Sequence, residues 1–435
     1  MARGQREKKS EKSGAVLGWI LLAVLLAAVA LGAFALWRAS SYWHSRAESS
    51  AQSVQTAQST QAAGAPQSKP ESEASQPGAD TQPEAEAQPQ QPLDVTYQEP
   101  ETLTLMALGD NLIHNCVYWS AELPEGGYDF TPFYADIKPV AETYDLACIN
   151  QETIYVESPA LYGNYPAFGS PTAVGDALVD AGFDVVTQAT NHCYDKGETG
   201  IFDTVRFWRE NHPEITVLGI HDSEEDAQTL RVVEKNGIRV AMLNYTYGLN
   251  YGLPAKRYMV DTLSSRDDIA ADIAAAKDAS DFVIVFVHWG DEGVYKPNAD
   301  QKSWAQFFAD EGVDLVIGAH PHVVQPLETV TGQNGNEMPV FYSLGNFLSH
   351  QVDAPNMLGG MASVTLEKAP DGTVSITQCE MKPTVNVILY LGSMGHFMYR
   401  PMLLEDYTDE LAAQHHIAGC GVEALWTLYR QITEE

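Results

Sequence analysis

Basic residues are scarce in this chain: 25 lysines and arginines face 58 aspartates and glutamates, a formal net charge of -33 over 435 residues. That balance excludes nucleic acid as a partner, because phosphate binding needs a basic face to release counterions. It also argues against adhesion to anionic lipid, apart from the first dozen residues. Cysteine is scarce as well. Cys116, Cys148, Cys193, Cys379 and Cys420 form no CxxC pair, so a zinc ribbon and a thioredoxin-type motif are excluded by spacing. Five are too few for a disulfide scaffold, and buried free thiols are the expectation, with a single bridge left open.

Two stretches are defined by what they lack. From Gly14 to Trp37 there is no charged residue, only a run dominated by Leu, Ala and Val. A helix needs about 20 such residues to cross a hydrocarbon core. Arg3, Arg6, Lys8, Lys9 and Lys12 precede the run and Arg38 comes directly after it. A basic excess ahead of the span keeps the N-terminus in the cytoplasm and exports the rest. The alternative, a cleaved signal peptide, has a shorter apolar core. From 38 to 100 the chain is Ser, Gln, Ala, Pro and Glu with scarcely an aromatic. Such a segment cannot bury enough apolar surface to offset its ordering entropy, and reads as a disordered tether. Its flexible-chain reach is about 45 Å.

From Thr102 the texture changes. Short apolar runs (Leu103–Leu108, Leu146–Ile149, Phe183–Thr187, Phe282–Val287, Val313–Ile317, Val340–Tyr342) alternate with helical patterns at Pro171–Ala181, Ile201–Asn211, Arg266–Ala279 and Asp300–Glu311. Continuous apolar strands separated by amphipathic helices indicate an α/β domain, a largely buried sheet with helices outside it. Two further strands are expected at Met361–Leu366 and Val374–Met381. The organisation expected is a basic cytoplasmic tail (1–13), a membrane anchor (14–37), a linker (38–100), the folded domain (101–395) and a helical tail (396–435).

The polar cluster at the end of each strand carries the chemistry. In order these segments are Gly109-Asp110, Asn150-Gln151-Glu152, Thr190-Asn191-His192, His288-Trp289-Gly290, Gly318-Ala319-His320-Pro321-His322 and Gly345-Asn346. Functional groups in α/β sheets gather at the carboxyl ends of strands. That edge would collect two carboxylates, an asparagine and four histidines, a donor set suited to Zn, Mn, Fe or Co rather than to Mg or Ca. Singly each residue has an ordinary explanation: a turn or helix cap for Asp110, a satisfied core histidine for His288, a turn for Asn191. Recurrence at six strand ends makes a shared divalent-metal site the better account.

The series GDN, NQE, ATNH, VHWGDEG, GAHPHVVQP and YSLGNF resembles the CapA type of capsule and poly-γ-glutamate synthesis protein, similar in fold to the calcineurin-like metallophosphoesterases. The resemblance covers about Leu103 to Met381. It implies a β-sandwich flanked by helices with two metals at the strand ends. By position, Asp110 and His322 would bind one metal, Asn191, His288 and His320 the other, and Glu152 would bridge them. His192 would be the acid or base at the leaving group, with Asp195 orienting it. The histidine normally two positions after the first aspartate is here Leu112, and His114 has the wrong spacing to replace it directly. Trp289, Asp291, Glu292 and Asn346 are further pocket candidates, as are Tyr245 and Tyr247 of the Asn244–Gly248 segment.

The function this implies is an outward-facing envelope enzyme: a metal-dependent hydrolase or transferase acting on an anionic polymer or its precursor, beside synthase subunits. A general metallophosphoesterase is the nearest enzyme alternative. A non-catalytic, metal-stabilised scaffold subunit is the alternative from another class.

Overall fold

A computed structural model describes residues 101–393 and 395–434. The expected membrane segment and tether lie outside the described residues. No helix among the described residues is long and apolar enough to cross a membrane.

The domain has a mixed α/β fold built on two sheets, each with a parallel centre. In the first, Glu101–Asn111, Leu146–Gln151, Val185–Thr187 and Thr216–Leu218 run parallel in that order. On the far side of Glu101–Asn111 it continues antiparallel through Leu358–Lys368, Val374–Tyr390 and Phe397–Leu403. In the second, Ile238–Thr246, Phe282–His288, Leu315–Ala319 and Glu337–Leu344 are parallel. Arg231–Lys235 and Val324–Thr331 close its two edges antiparallel.

Parallel neighbours need a crossover rather than a tight turn, and local sequence supplies helices for it. Arg266–Ala279 starts where the Ser265 side chain accepts a hydrogen bond from the Asp268 N–H, with Asp267 and Asp268 in its first turn and Lys277 in its last. Those charges complement the helix dipole. Ala299–Glu311 begins with a reciprocal capping box between Asn298 and Gln301 and stops at Gly312, whose φ of 80° suits a residue without a Cβ.

Alternation along Phe282–His288 shows how the register is fixed. Phe282, Ile284 and Phe286 join the core that both sheets share, while Val283, Val285 and Val287 join a second core with Ile269, Ile273, Ala305 and Phe308 of the helices. Burying each such side chain is worth about 1.5–3 kcal/mol. A one-residue slip would turn every one of them to the other face, so the register is strongly held. His288 therefore joins Phe286 on the inter-sheet face, and Trp289 joins Val287 on the helix face.

The segment from 396 does not begin as a helix. Phe397–Leu403 is an edge strand of the first sheet, and the helices Asp409–Gln414 and Val422–Thr433 come only afterwards. Pro401, which speaks against a strand in sequence, is tolerated because an edge has one side without ladder partners. Phe397 and Tyr399 of this strand are buried in the shared core. Arg400 clamps Asp136 through two hydrogen bonds of 2.8 Å.

Candidate metal centre

The parallel registers bring the functional strand ends level with one another. Asp110 pairs with Asn150 and Asn150 with Thr187 in the first sheet, while His288 pairs with both Thr246 and Ala319 in the second. Gly109 makes the junction possible. A Cβ there would collide with the Gly345 carbonyl oxygen, which instead accepts a hydrogen bond of 2.8 Å from the Asp110 N–H.

Asp110, Glu152 and His322 converge, with His322 Nδ1 3.0 Å from Asp110 Oδ2 and 3.7 Å from Glu152 Oε2. Glu152, His288 and His320 form a second group around the other Glu152 oxygen, Oε1 lying 3.8 Å from His288 Nε2. Asn191 Oδ1 is 2.9 Å from that same Nε2. Asn150 Nδ2 donates to Asp110 Oδ1 at 2.8 Å, and the His320 N–H points to the same carboxylate from 3.3 Å. His320 and His322 both hold left-handed backbone, with φ of 100° and 58°. Such a conformation costs a non-glycine residue of order 1–3 kcal/mol and persists only where the surrounding structure over-determines it.

These groups fit divalent metal on an observation that needs no analogy. Glu152 is completely buried, yet neither carboxylate oxygen has a hydrogen-bond partner. The Nδ1 atoms of buried His288 and His320 lack partners too. A buried carboxylate without a hydrogen bond is costly to keep charged. Burial accordingly pushes the Glu152 carboxyl well above its usual range and, with the neighbouring imidazoles, holds His288 and His320 well below theirs. Burial acts on His322 in the same sense, but the Glu152 and Asp110 carboxylates beside it prevail and raise it to about 10. A dry carboxyl and two imidazoles held neutral, with His322 left to give up its proton as a cation enters, are the donor types a divalent ion takes.

His192 stands beside this shell. Its Nδ1 lies 2.6 Å from Asp195 Oδ2, and the same oxygen accepts from the Phe168 N–H at 2.8 Å. Phe168 meets the imidazole edge-on, ring centroids 4.7 Å apart. Asn250 reaches over the ring, with Nδ2 3.2 Å from Nδ1. Asp195 and Phe168 thus fix the orientation of the imidazole.

The family model described as "Bacterial capsule synthesis protein PGA_cap" matches residues 104–351, which hold every residue of this centre. The chain belongs to that bacterial capsule synthesis family. It is 33% identical over 266 residues to the capsule biosynthesis protein CapA of Bacillus anthracis, covering 59% of this chain and 62% of that protein. It is 32% identical over 207 residues to the PGA biosynthesis protein CapA of Bacillus subtilis, covering 47% of this chain and 52% of that one. The match thus spans less than two thirds of either relative. Among solved structures, the NAD nucleotidase of Haemophilus influenzae overlays with a TM-score of 0.41 at 12% identity, covering 77% of this chain and 67% of that one.

In this family member the six expected ligands, Asp110, Glu152, Asn191, His288, His320 and His322, are brought together, as are His192 and Asp195. The peripheral candidates divide. Trp289 does not line the pocket: it is 2% exposed, stacks on Tyr342 and donates to the Tyr342 carbonyl oxygen at 2.9 Å. Tyr245 is buried in the helix-side core with its hydroxyl on Asp272 at 2.9 Å. Strand alternation explains both, since each sits on the face opposite its functional neighbour. Tyr247 does reach the centre, half-exposed with its ring 4.7 Å from that of His320. Asn346 is a buried support, with Oδ1 3.1 Å from His322 Nδ1 and Nδ2 donating to Gln351 at 2.8 Å. Phe168 and Asn250 escape sequence reasoning, because both come from loops distant in sequence and without a recurring motif.

Proposed function

We propose that this protein is a metal-dependent hydrolase or transferase of the bacterial envelope, acting on an anionic polymer or its precursor at the outer face of a membrane. The observation that carries this reading is the buried Glu152 carboxyl, without a hydrogen bond at either oxygen and set between His288 and His322. Asp110, Glu152 and His322 would hold one divalent ion, and Glu152, Asn191, His288 and His320 the other. Two such ions supply an activated water and stabilise charge that develops on the attacked group. The polymer class is taken from the relatives, named for capsule and PGA biosynthesis. A chain of net charge -33 would otherwise repel an anionic polymer, so the cations are where attraction would arise.

His192 favours an enzyme over a scaffold. With Nδ1–H donated to Asp195, Nε2, which has Asn250 Nδ2 3.4 Å away, would give or take a proton at the leaving group. A structural metal site has no use for that pair. Tyr247 borders the ligand cluster on its exposed side, where substrate would enter. Synthase subunits in the same membrane are the partners this role implies.

Full-length protein in detergent tests the reading against bis(p-nitrophenyl) phosphate and γ-linked polyglutamate. Turnover of one of them should vanish with a chelator and return with Mn, Fe, Zn or Co. Failure of the metal-loaded protein to turn over either would remove the catalytic reading. The anchor at 14–37 is tested separately on intact protoplasts. Added protease should cut within 38–100 and release the domain, whereas protection until lysis would place the domain inside the cell.

A further inference from the structure

Position 112 offers nothing to a metal. Leu112 is 2% exposed, and its backbone N–H is bonded to the Leu348 carbonyl oxygen at 2.8 Å. His114, the nearest imidazole in sequence, is occupied elsewhere. Its Nδ1 lies 3.1 Å from the His350 N–H and 3.2 Å from the Leu112 carbonyl oxygen, with the ring edge-on to Phe168. Among the described residues it joins none of the groups whose donor atoms converge as a metal requires.

Glu292 joins one of them. Its carboxylate, His320 and His322 each bring a ligand atom within 4.8 Å of the other two. The loop that carries it is built to hold it there. Gly290 turns the chain at φ 97°, where a Cβ would run into the Gln301 side chain. The Gly293 N–H then donates to the Pro321 carbonyl oxygen at 2.8 Å, fastening the loop to the middle of His320-Pro321-His322. Glu292 is the exposed member of the group, whereas both histidines are buried. It therefore approaches from the open side of the centre.

We propose that Glu292 is a metal ligand: its group takes one histidine from each shell, and the ion that Asp110, Glu152 and His322 would hold, one protein ligand short of the other and without a donor at Leu112, is the one it would complete. This rests on the two-metal reading of the centre. A carboxylate in place of an imidazole makes that position harder and shifts its preference toward Mn or Fe and away from Zn. A solvent-facing ligand also exchanges more easily than a buried one. The two ions should then differ in affinity, the outer one being the one that a phosphate or carboxylate oxygen of substrate can reach.

Calorimetric titration of chelator-stripped full-length protein in detergent with Mn²⁺ tests this, alongside E292Q and the neighbouring control D291N. Wild type and D291N should show a tight and a weaker site. E292Q should keep the tight site and weaken the other by about tenfold or more, since losing even a group hydrogen-bonded to a ligand commonly costs 10–100-fold. Equal metal-free melting temperatures of the three proteins establish that the fold is intact. Two sites in E292Q with wild-type affinities would overturn the assignment and leave the metal centre standing. The same loss in D291N would overturn it too, since only general acidity would be at work. Wild type with no Mn²⁺ site, or with one, would take down the two-metal reading and Glu292 with it.

Discussion

Replacing His288 and His320 together with alanine is expected to leave the protein without its tightly held metal ion. Each ring is buried, and each presents an Nδ1 atom with no hydrogen-bond partner; the bond from His288 Nε2 to Asn191 Oδ1 is to another of the proposed ligands. The consequence for stability depends on metal. Without it, deleting two unpartnered buried nitrogens offsets part of the packing lost with the rings. With it, the wild type gains the binding free energy, about 2.7 kcal/mol at a free concentration one hundred times Kd. At roughly 2–4 °C per kcal/mol for a domain of a few hundred residues, metal should raise the wild-type melting temperature by about 5–10 °C. The double variant should not respond. Elemental analysis after dialysis and melting curves with and without Mn²⁺ check both halves. Full metal content in the double variant would remove His288 and His320 from the ligand set.

His192→Ala should do the opposite: leave metal content and folding nearly as they were and lower turnover by about 10² to 10⁴-fold, the usual contribution of a general acid or base. His192 belongs to none of the converging ligand groups among the described residues. Its Nδ1 is committed to Asp195 at 2.6 Å, so its loss should be felt chiefly in proton transfer, with a smaller cost in stability from the buried Asp195 carboxyl. Turnover equal to wild type would end the catalytic role and return the domain to the scaffold reading.

Much of this centre is legible in the sequence because parallel strands place their ends by rule. An apolar run such as Phe282–Val287 announces a buried strand, and the residue after it must then lie at the carboxyl edge, where His288 is found. The same rule serves Asp110, Glu152, His320 and His322. It serves less well for Tyr245 and Trp289. Both stand at strand ends, but alternation turns them to the helix-side core with Val287 and Ala241. Counting faces as well as ends separates His288 from Trp289 and Asn244 from Tyr245. Phe168 and Asn250 carry no such signal, because loops obey no period and only the folded chain brings them to His192. The edge strand Phe397–Leu403 is hidden by Pro401, a residue whose cost depends on whether its strand is central or at an edge.

Glu152 is the residue on which the metal centre depends, since neither oxygen of its buried carboxyl has a hydrogen bond and the two face the ring nitrogens of His288 and His322. Anomalous diffraction from crystals of the protein loaded with Mn²⁺ tests this most directly. Two peaks are expected, about 3.5–4 Å apart as in other two-metal sites, with the Glu152 carboxylate between them. Asp110 and His322 should flank one, and Asn191, His288 and His320 the other. A map without metal at Glu152 in the presence of excess Mn²⁺, with these side chains arranged as described, would contradict the account.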